Sequence, residues 1–184
     1  LQVTEGPEFM PQTGKTENAI QFNYFMGDQL INIKYRDGRK NFKLYKGAEK
    51  VFYNINSVVG YDWCVVVEGE MDVLALHEAG IKNAISVPNG ATLNTNNLDY
   101  LDNCIDYLDD KTKIILAVDA DAAGQALRAE FIRRLGAEVC YLVDFHGWKD
   151  ANEFLIENGA ENLRNAIHDS KQVPLEGVTT LYDI

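Results

Sequence analysis

The sequence predicts an α/β fold, a mainly parallel sheet flanked by helices, preceded by a small antiparallel β-rich basic subdomain. Three observations lead there. From Asp62 onward, short apolar runs alternate with helix-length stretches, the pattern of a parallel sheet covered on both faces. Before that point, apolar residues alternate with others between Gly-Asp and Asp-Gly turns, as in an antiparallel meander. The charge is also uneven: seven of the 17 Lys and Arg residues fall between Lys34 and Lys50, in a chain of formal net charge −11.

The elements follow in order. Residues 1–19 are polar and punctuated by Gly and Pro, and read as a loosely structured lead-in. Gly14-Lys15-Thr16 resembles the end of a phosphate-binding loop. Phe9 occupies the position where that motif needs its first glycine, and no buried strand precedes it, so the motif is rejected. Phe22, Tyr24 and Met26 alternate as in a strand, Gly27-Asp28 turns the chain, and Ile31, Ile33 and Tyr35 alternate again. Asp37-Gly38 makes a second turn before Phe42 and Leu44. Lys34, Arg36, Lys40 and Lys43 lie along these strands. From the pattern alone they serve equally well as solvated edge protection or as a basic surface.

After Asp62 the rhythm changes. Val65–Val67 is a buried strand ending at Glu68-Gly69, and a helix runs from there to Gly80. Residues 84–87 form a second strand closed by Pro88-Asn89-Gly90, and residues 96–108 read as a helix. Residues 114–118 are a third strand ending in Asp119, followed by a helix to Leu135-Gly136. Residues 139–143 make a fourth strand, and two short helices near 151–158 and 160–168 complete the fold. The expected organisation is a basic β-rich subdomain over residues 1–60, an α/β domain over 61–170 and a tail or linker over 171–184.

Composition narrows the classes. With 46% apolar and 24% charged residues, the 184-residue chain suits a soluble globular protein with one core and a small companion module. No apolar run approaches the length of a membrane span, so no membrane partner is expected. The chain opens on Leu1 with neither an initiator Met nor a signal-peptide pattern, which reads as a fragment of a longer protein. Cys64, Cys104 and Cys140 lie far apart among apolar residues. They fit small buried side chains rather than a zinc ribbon or disulfide framework. A reducing cytoplasm is the expected setting.

The chemistry concentrates at the carboxyl ends of the parallel strands, where open α/β sheets bind ligands. Glu68 ends the first strand, Asp119 and Asp121 the third, and Asp150 follows the fourth, with Glu70 and Asp72 near the first strand-to-helix turn. Carboxylates this close repel and call for a cation. Oxygen donors without His or Cys select Mg²⁺ or Mn²⁺. Singly, each acid is explained as well by helix capping, Asp121 most of all; together, at three strand ends, they point to metal. His77 and His146 have no partners at ligand spacing. Trp63 and Trp148 read as edge-of-core residues rather than base-stacking ones.

Glu68-Gly69-Glu70-Met71-Asp72 followed by Asp119-Ala120-Asp121-Ala122-Ala123-Gly124 resembles the paired signatures of a TOPRIM domain. Lys149-Asp150-Ala151-Asn152-Glu153 is similar to a stretch typical of primases, above all the bacteriophage primase-helicase family related to Twinkle. Residues 34–43 resemble the basic strand segment that precedes TOPRIM in that family. The resemblance spans roughly residues 20–170, in the family's order.

It implies a Rossmann-like TOPRIM fold and the catalytic core of a DNA primase, which makes RNA primers by metal-dependent nucleotidyl transfer. Glu68, Asp119 and Asp121 take the catalytic positions. Glu68, Asp72, Asp119, Asp121 and Asp150 take the metal positions, for Mg²⁺ or Mn²⁺. Lys34, Arg36, Lys40, Lys43 and Lys149 take those that contact nucleotide or DNA. Gly69 and Gly124 match tight turns near the site, and Ser86–Gly90 a loop beside the nucleotide. The implied partners are a single-stranded DNA template, ribonucleoside triphosphates and a replicative helicase in cis or in trans. The family's zinc-binding module and helicase P-loop have no counterpart in these 184 residues, so weak or unselective priming is expected of them alone. Two other readings stay open: a TOPRIM nuclease or topoisomerase-type enzyme that cleaves DNA, and a non-catalytic single-stranded-DNA-binding module.

Overall fold

The computed structural model describes residues 1–91 and 98–174. It contains two sheets. The first is an antiparallel meander of β1 (Val3–Met10), β2 (Lys15–Met26), β3 (Gln29–Arg36) and β4 (Phe42–Leu44), paired in chain order. The second has the order β6-β5-β7-β8-β9, from β5 (Trp63–Val67), β6 (Ala84–Ser86), β7 (Lys113–Leu116), β8 (Cys140–Leu142) and β9 (Lys171–Gln172). Its first four strands are parallel and β9 joins antiparallel to β8. The helices are α1 (Glu70–Glu78), α2 (Asp99–Asp102), α3 (Ala122–Leu135) and α4 (Ala151–His168).

The expected lead-in is a correction. Residues 3–10 and 15–26 pair in continuous register, Val3 opposite Phe22 through Met10 opposite Lys15, so most of residues 1–19 is sheet. Ladder hydrogen bonds hold β1 to β2 even though few of their side chains are buried. Of the helix expected over 96–108, residues 92–97 lie outside the described residues. The rest forms the short α2 and a 3₁₀ turn at Ile105–Tyr107. The two short C-terminal helices appear as one element kinked at Gly159, whose φ of 82° is non-helical and suits a residue without Cβ. Of the expected tail, Lys171 and Gln172 belong to the sheet, and residues 175–184 lie outside the described residues.

One core unites the two sheets. Phe22 and Tyr24 on β2 are fully buried in the same cluster as Val65–Val67, Ile85, Ile114 and Leu116 of the parallel sheet. Tyr53 is the joint between them: its ring meets Tyr24 at 5.3 Å and Phe22 at 5.8 Å edge-on, and its backbone bridges to Ser86 at the end of β6. Burying each such side chain contributes about 1.5–3 kcal/mol. A smaller cluster of Met10, Ala19 and Tyr35 covers the other face of the meander. Cys64, Cys104 and Cys140 are buried free thiols.

Strand β3 departs from the expected orientation. Ile31 and Ile33 are only partly buried, while Asn32 and Lys34 are buried. Strand alternation sends these polar side chains inward because they find partners there. Asn32 Nδ2 donates to the Glu49 carbonyl at 3.0 Å, and Lys34 meets Glu70. No helix among the described residues is long and apolar enough to cross a membrane.

Candidate functional site

The carboxyl ends of β5 and β7, the first turn of α1 and the approach to α4 open onto a cleft of about 460 Å³, whose far wall is β3 and β4. Acids, with Lys149 among them, stand on one side and the bases of β3 on the other. Glu68, Asp72, Asp119 and Asp150 line the first wall; Lys34 and Arg36 line the second. Pro88, Asn89 and Gly90 close one end, where a loop after the second parallel strand was expected.

Glu68 follows β5 directly, and the backbone holds its carboxylate. Oε1 accepts from the Asp119 N–H at 3.0 Å and Oε2 from the Ala91 N–H at 3.1 Å. Burial, with the Asp119 charge behind it, pushes its pKa up to about 6. Gly124 makes this packing possible. A Cβ there would lie 2.6 Å from Glu68 Oε1 and would overlap the Asp119 carbonyl oxygen. Gly69 is different: its φ of −123° is ordinary extended backbone, so it opens α1 without needing glycine's freedom.

Asp119 is nearly buried and accepts from Lys149 Nζ at 2.9 Å; the same ammonium lies 3.9 Å from Asp150. Burial raises the Asp119 pKa, against the pull of Lys149. Asp72, on α1, accepts from the Asn152 N–H at 3.0 Å, which ties α1 to the start of α4. Burial first, and the Asp150 charge second, push its pKa up to about 7. Two acids also serve as helix caps: Asp121 accepts from the Gly124 N–H at 2.9 Å, and Asp150 from the Glu153 N–H at 2.8 Å. The capping explanation therefore holds for both, through one oxygen each. Asp121 is exposed and does not line the cleft.

The basic residues separate. Lys34 lines the cleft but is 8% exposed, its Nζ 2.9 and 3.1 Å from the two Glu70 carboxylate oxygens, and Tyr24 Oη also donates to Glu70. Arg36 lines the cleft with a buried Nε that has no hydrogen-bond partner among the described residues. Lys43 is tied to Glu8 and, at 2.9 Å, to the Phe9 carbonyl. Lys40 sits exposed in the turn that Asp37 closes by accepting from the Arg39 and Asn41 N–H groups, and does not line the cleft.

Sequence reasoning did not single out Glu70, Tyr24 or Phe42 as site residues. Glu70 was signalled only as part of the acidic motif, and Tyr24 only as a strand residue. Trp63 sits 5.9 Å from His168, away from the cleft, as edge-of-core packing requires; Trp148 also lies outside the cleft lining. His77 contacts Lys82 on the surface and His146 faces Asp144.

The donor chemistry suits Mg²⁺ or Mn²⁺. The acids of the cleft are hard oxygen donors; burial first, with the neighbouring carboxylates adding to it, raises the pKa values of Glu68, Asp72 and Asp119. Among the described residues no three Asp, Glu, His or Cys side chains stand together as a group that could hold an ion.

Comparison with known proteins places this geometry. Residues 65–155 match the Toprim-like family. The chain is 37% identical over 178 residues to the Primase homolog protein of Arabidopsis thaliana, a match covering 87% of this chain and 52% of that protein. It is 35% identical over 185 residues to the chloroplastic/mitochondrial Twinkle homolog protein of the same plant, covering 91% of this chain and 26% of that protein. The chain thus spans about half or less of the length of these relatives. Among solved structures it is similar to the primase fragment of the bacteriophage T7 primase-helicase protein. The TM-score is 0.68 at 25% identity, over 83% of this chain and 63% of that one.

Proposed function

We propose that this chain, whose residues 65–155 match the Toprim-like family, carries the catalytic core of a DNA primase, joining ribonucleotides into RNA on single-stranded DNA. The observation that carries the reading is the division of one cleft between an acidic wall and a basic one whose Arg36 Nε has no hydrogen-bond partner among the described residues. The similarity to primase and Twinkle homologues supports the same reading. A module that only gripped DNA would gain nothing from Glu68, Asp72, Asp119 and Asp150 facing its phosphates.

Asp119 and Asp150, with Asp72 behind them, would hold Mg²⁺ or Mn²⁺, and Asp121 contributes from the rim of α3. When bound, the ion neutralises triphosphate charge and acidifies the attacking hydroxyl. Arg36 offers its guanidinium to a phosphate across the cleft. Lys149 keeps Asp119 and Asp150 from splaying apart and brings a positive charge to the same edge. Glu68, at about 6, is poised to take the proton of a ribose 3′-hydroxyl as that oxygen attacks the α-phosphate and pyrophosphate departs. Lys34 acts from behind, holding β3 against α1 through Glu70. The partners on this reading are single-stranded DNA, ribonucleoside triphosphates and a replicative helicase in cis or in trans.

The test is primer synthesis on single-stranded DNA with labelled ribonucleotides and Mg²⁺ or Mn²⁺, wild type against Glu68→Gln. Short RNA that disappears in the variant supports the reading. Nicked DNA in place of RNA transfers the cleft to the nuclease class.

A further inference from the structure

Strands β3 and β4 pair Arg36 with Phe42 and Lys34 with Leu44, so these four residues share one face of the sheet, and all four line the cleft. Phe42 is 45% exposed and belongs to neither hydrophobic core. An exposed aromatic ring on an edge strand invites unwanted association, and a lysine or threonine would serve the strand better. Its backbone and its ring both have partners nonetheless. Gln12 Nε2 donates to the Phe42 carbonyl at 2.7 Å, and the ring packs against two cations, with Lys34 Nζ at 5.2 Å and Arg36 Cζ at 5.9 Å from its centroid. An apolar ring at the mouth of a charged cleft, beside a cleft-lining guanidinium whose buried Nε has no partner among the described residues, has the two parts of a nucleotide subsite.

We propose that Phe42 is a base-stacking platform: a nucleobase lies on its ring while the phosphate attached to that nucleotide is held by Arg36. The inference rests on the primase reading and adds to it where a base sits. Stacking has no need of base edges, so the platform is tolerant of sequence. The shared chemistry, a base joined to a phosphate, comes either from the template strand or from an incoming ribonucleotide.

The test compares Phe42→Leu and Phe42→Trp with wild type in three binding titrations: oligothymidylate, an abasic oligomer of the same length, and ATP with Mg²⁺. Phe42→Leu is expected to weaken binding of one base-bearing ligand by about 5- to 150-fold, to leave the abasic oligomer unchanged, and to be rescued by Phe42→Trp. A loss confined to oligothymidylate assigns the platform to the template; one confined to ATP assigns it to the nucleotide. Tyr45 is 60% exposed on the same segment but outside the cleft lining, so Tyr45→Leu is expected to change nothing. Equal loss with the abasic oligomer, no loss anywhere, or an equal effect of Tyr45→Leu overturns the platform and leaves the primase reading intact. A wild-type chain that binds none of the three ligands overturns both.

Discussion

Lys34 and Glu70 form a buried ion pair, 2.9 Å apart, that joins the antiparallel sheet to the first helix of the parallel one. The Tyr24 hydroxyl donates to the same carboxylate, and burial with the Glu70 charge raises the Tyr24 pKa, which keeps it a donor. A lysine in the motif position of a phosphate contact thus also ties the two sheets together.

Removing one partner strands the other charge. Lys34→Met is expected to destabilise the fold by about 3–5 kcal/mol in urea denaturation. Lys34→Met with Glu70→Gln should recover most of that, because the glutamine is neutral and still accepts from Tyr24. A single variant of wild-type stability would mean that Lys34 is solvated and free to meet substrate.

At Gly124 the obstacle is steric. A methyl group there meets Glu68 Oε1 and the Asp119 carbonyl, both rigidly placed. Gly124→Ala is expected to cost about 1–3 kcal/mol by overpacking and to abolish primer synthesis by displacing Glu68. Wild-type activity with wild-type melting would show that α3 shifts freely.

Asp121 separates capping from chemistry. Asp121→Asn keeps an N-cap acceptor and should melt like wild type, whereas Asp121→Ala should lose about 1 kcal/mol. Both should lose metal-dependent synthesis if the charge matters. Activity surviving in Asp121→Asn would leave this residue as a cap alone.

Acidification should stabilise the metal-free protein over a defined window. Asp72 and Glu68 have folded-state pKa values raised to about 7 and about 6, so between their ordinary range and those values the folded state binds more protons than the unfolded. Their stabilising contribution is complete at low pH and is lost as pH rises through 6 and 7. His77, lowered by burial, opposes this weakly from the surface, and the lowered Glu130 and Asp37 matter only at more acidic pH. The melting temperature in EDTA is therefore expected to rise from about pH 8 to about pH 5.5, and Mg²⁺ to stabilise more at the higher pH. A melting temperature that falls over that window would remove the unpaired-carboxylate account.

Among the basic residues, Arg36→Ala should weaken single-stranded DNA binding and reduce the salt slope by about 0.7. Lys43→Ala should change the slope less, because its ammonium is occupied by Glu8 and the Phe9 carbonyl. Equal slopes for the two variants would mean that Lys43 leaves those partners for DNA.

The four parallel strands were legible because each is a short apolar run with a turn signal or an acid at its end. Buried strands admit little else. The acid cluster was legible for a related reason: Glu68 and Asp119 sit where strands end, and topology brings strand ends together. β1 was not legible. Thr4, Glu5 and Glu8 are exposed to some degree, so no alternation marks the strand, and only its register with β2 reveals it.

The sequence by itself determined the α/β architecture, the positions of the acids along the chain and the asymmetry of charge, because apolar periodicity and residue type are local properties. Only the tertiary structure decided which bases remain available to an anion. Lys34 and Glu70 are 36 residues apart, and Lys43 and Glu8 are 35 apart. Whether a lysine is spent on a carboxylate or left for phosphate depends on which charge the folded backbone brings within a few ångströms, and Coulomb energy in a partly desolvated cleft falls off over that distance.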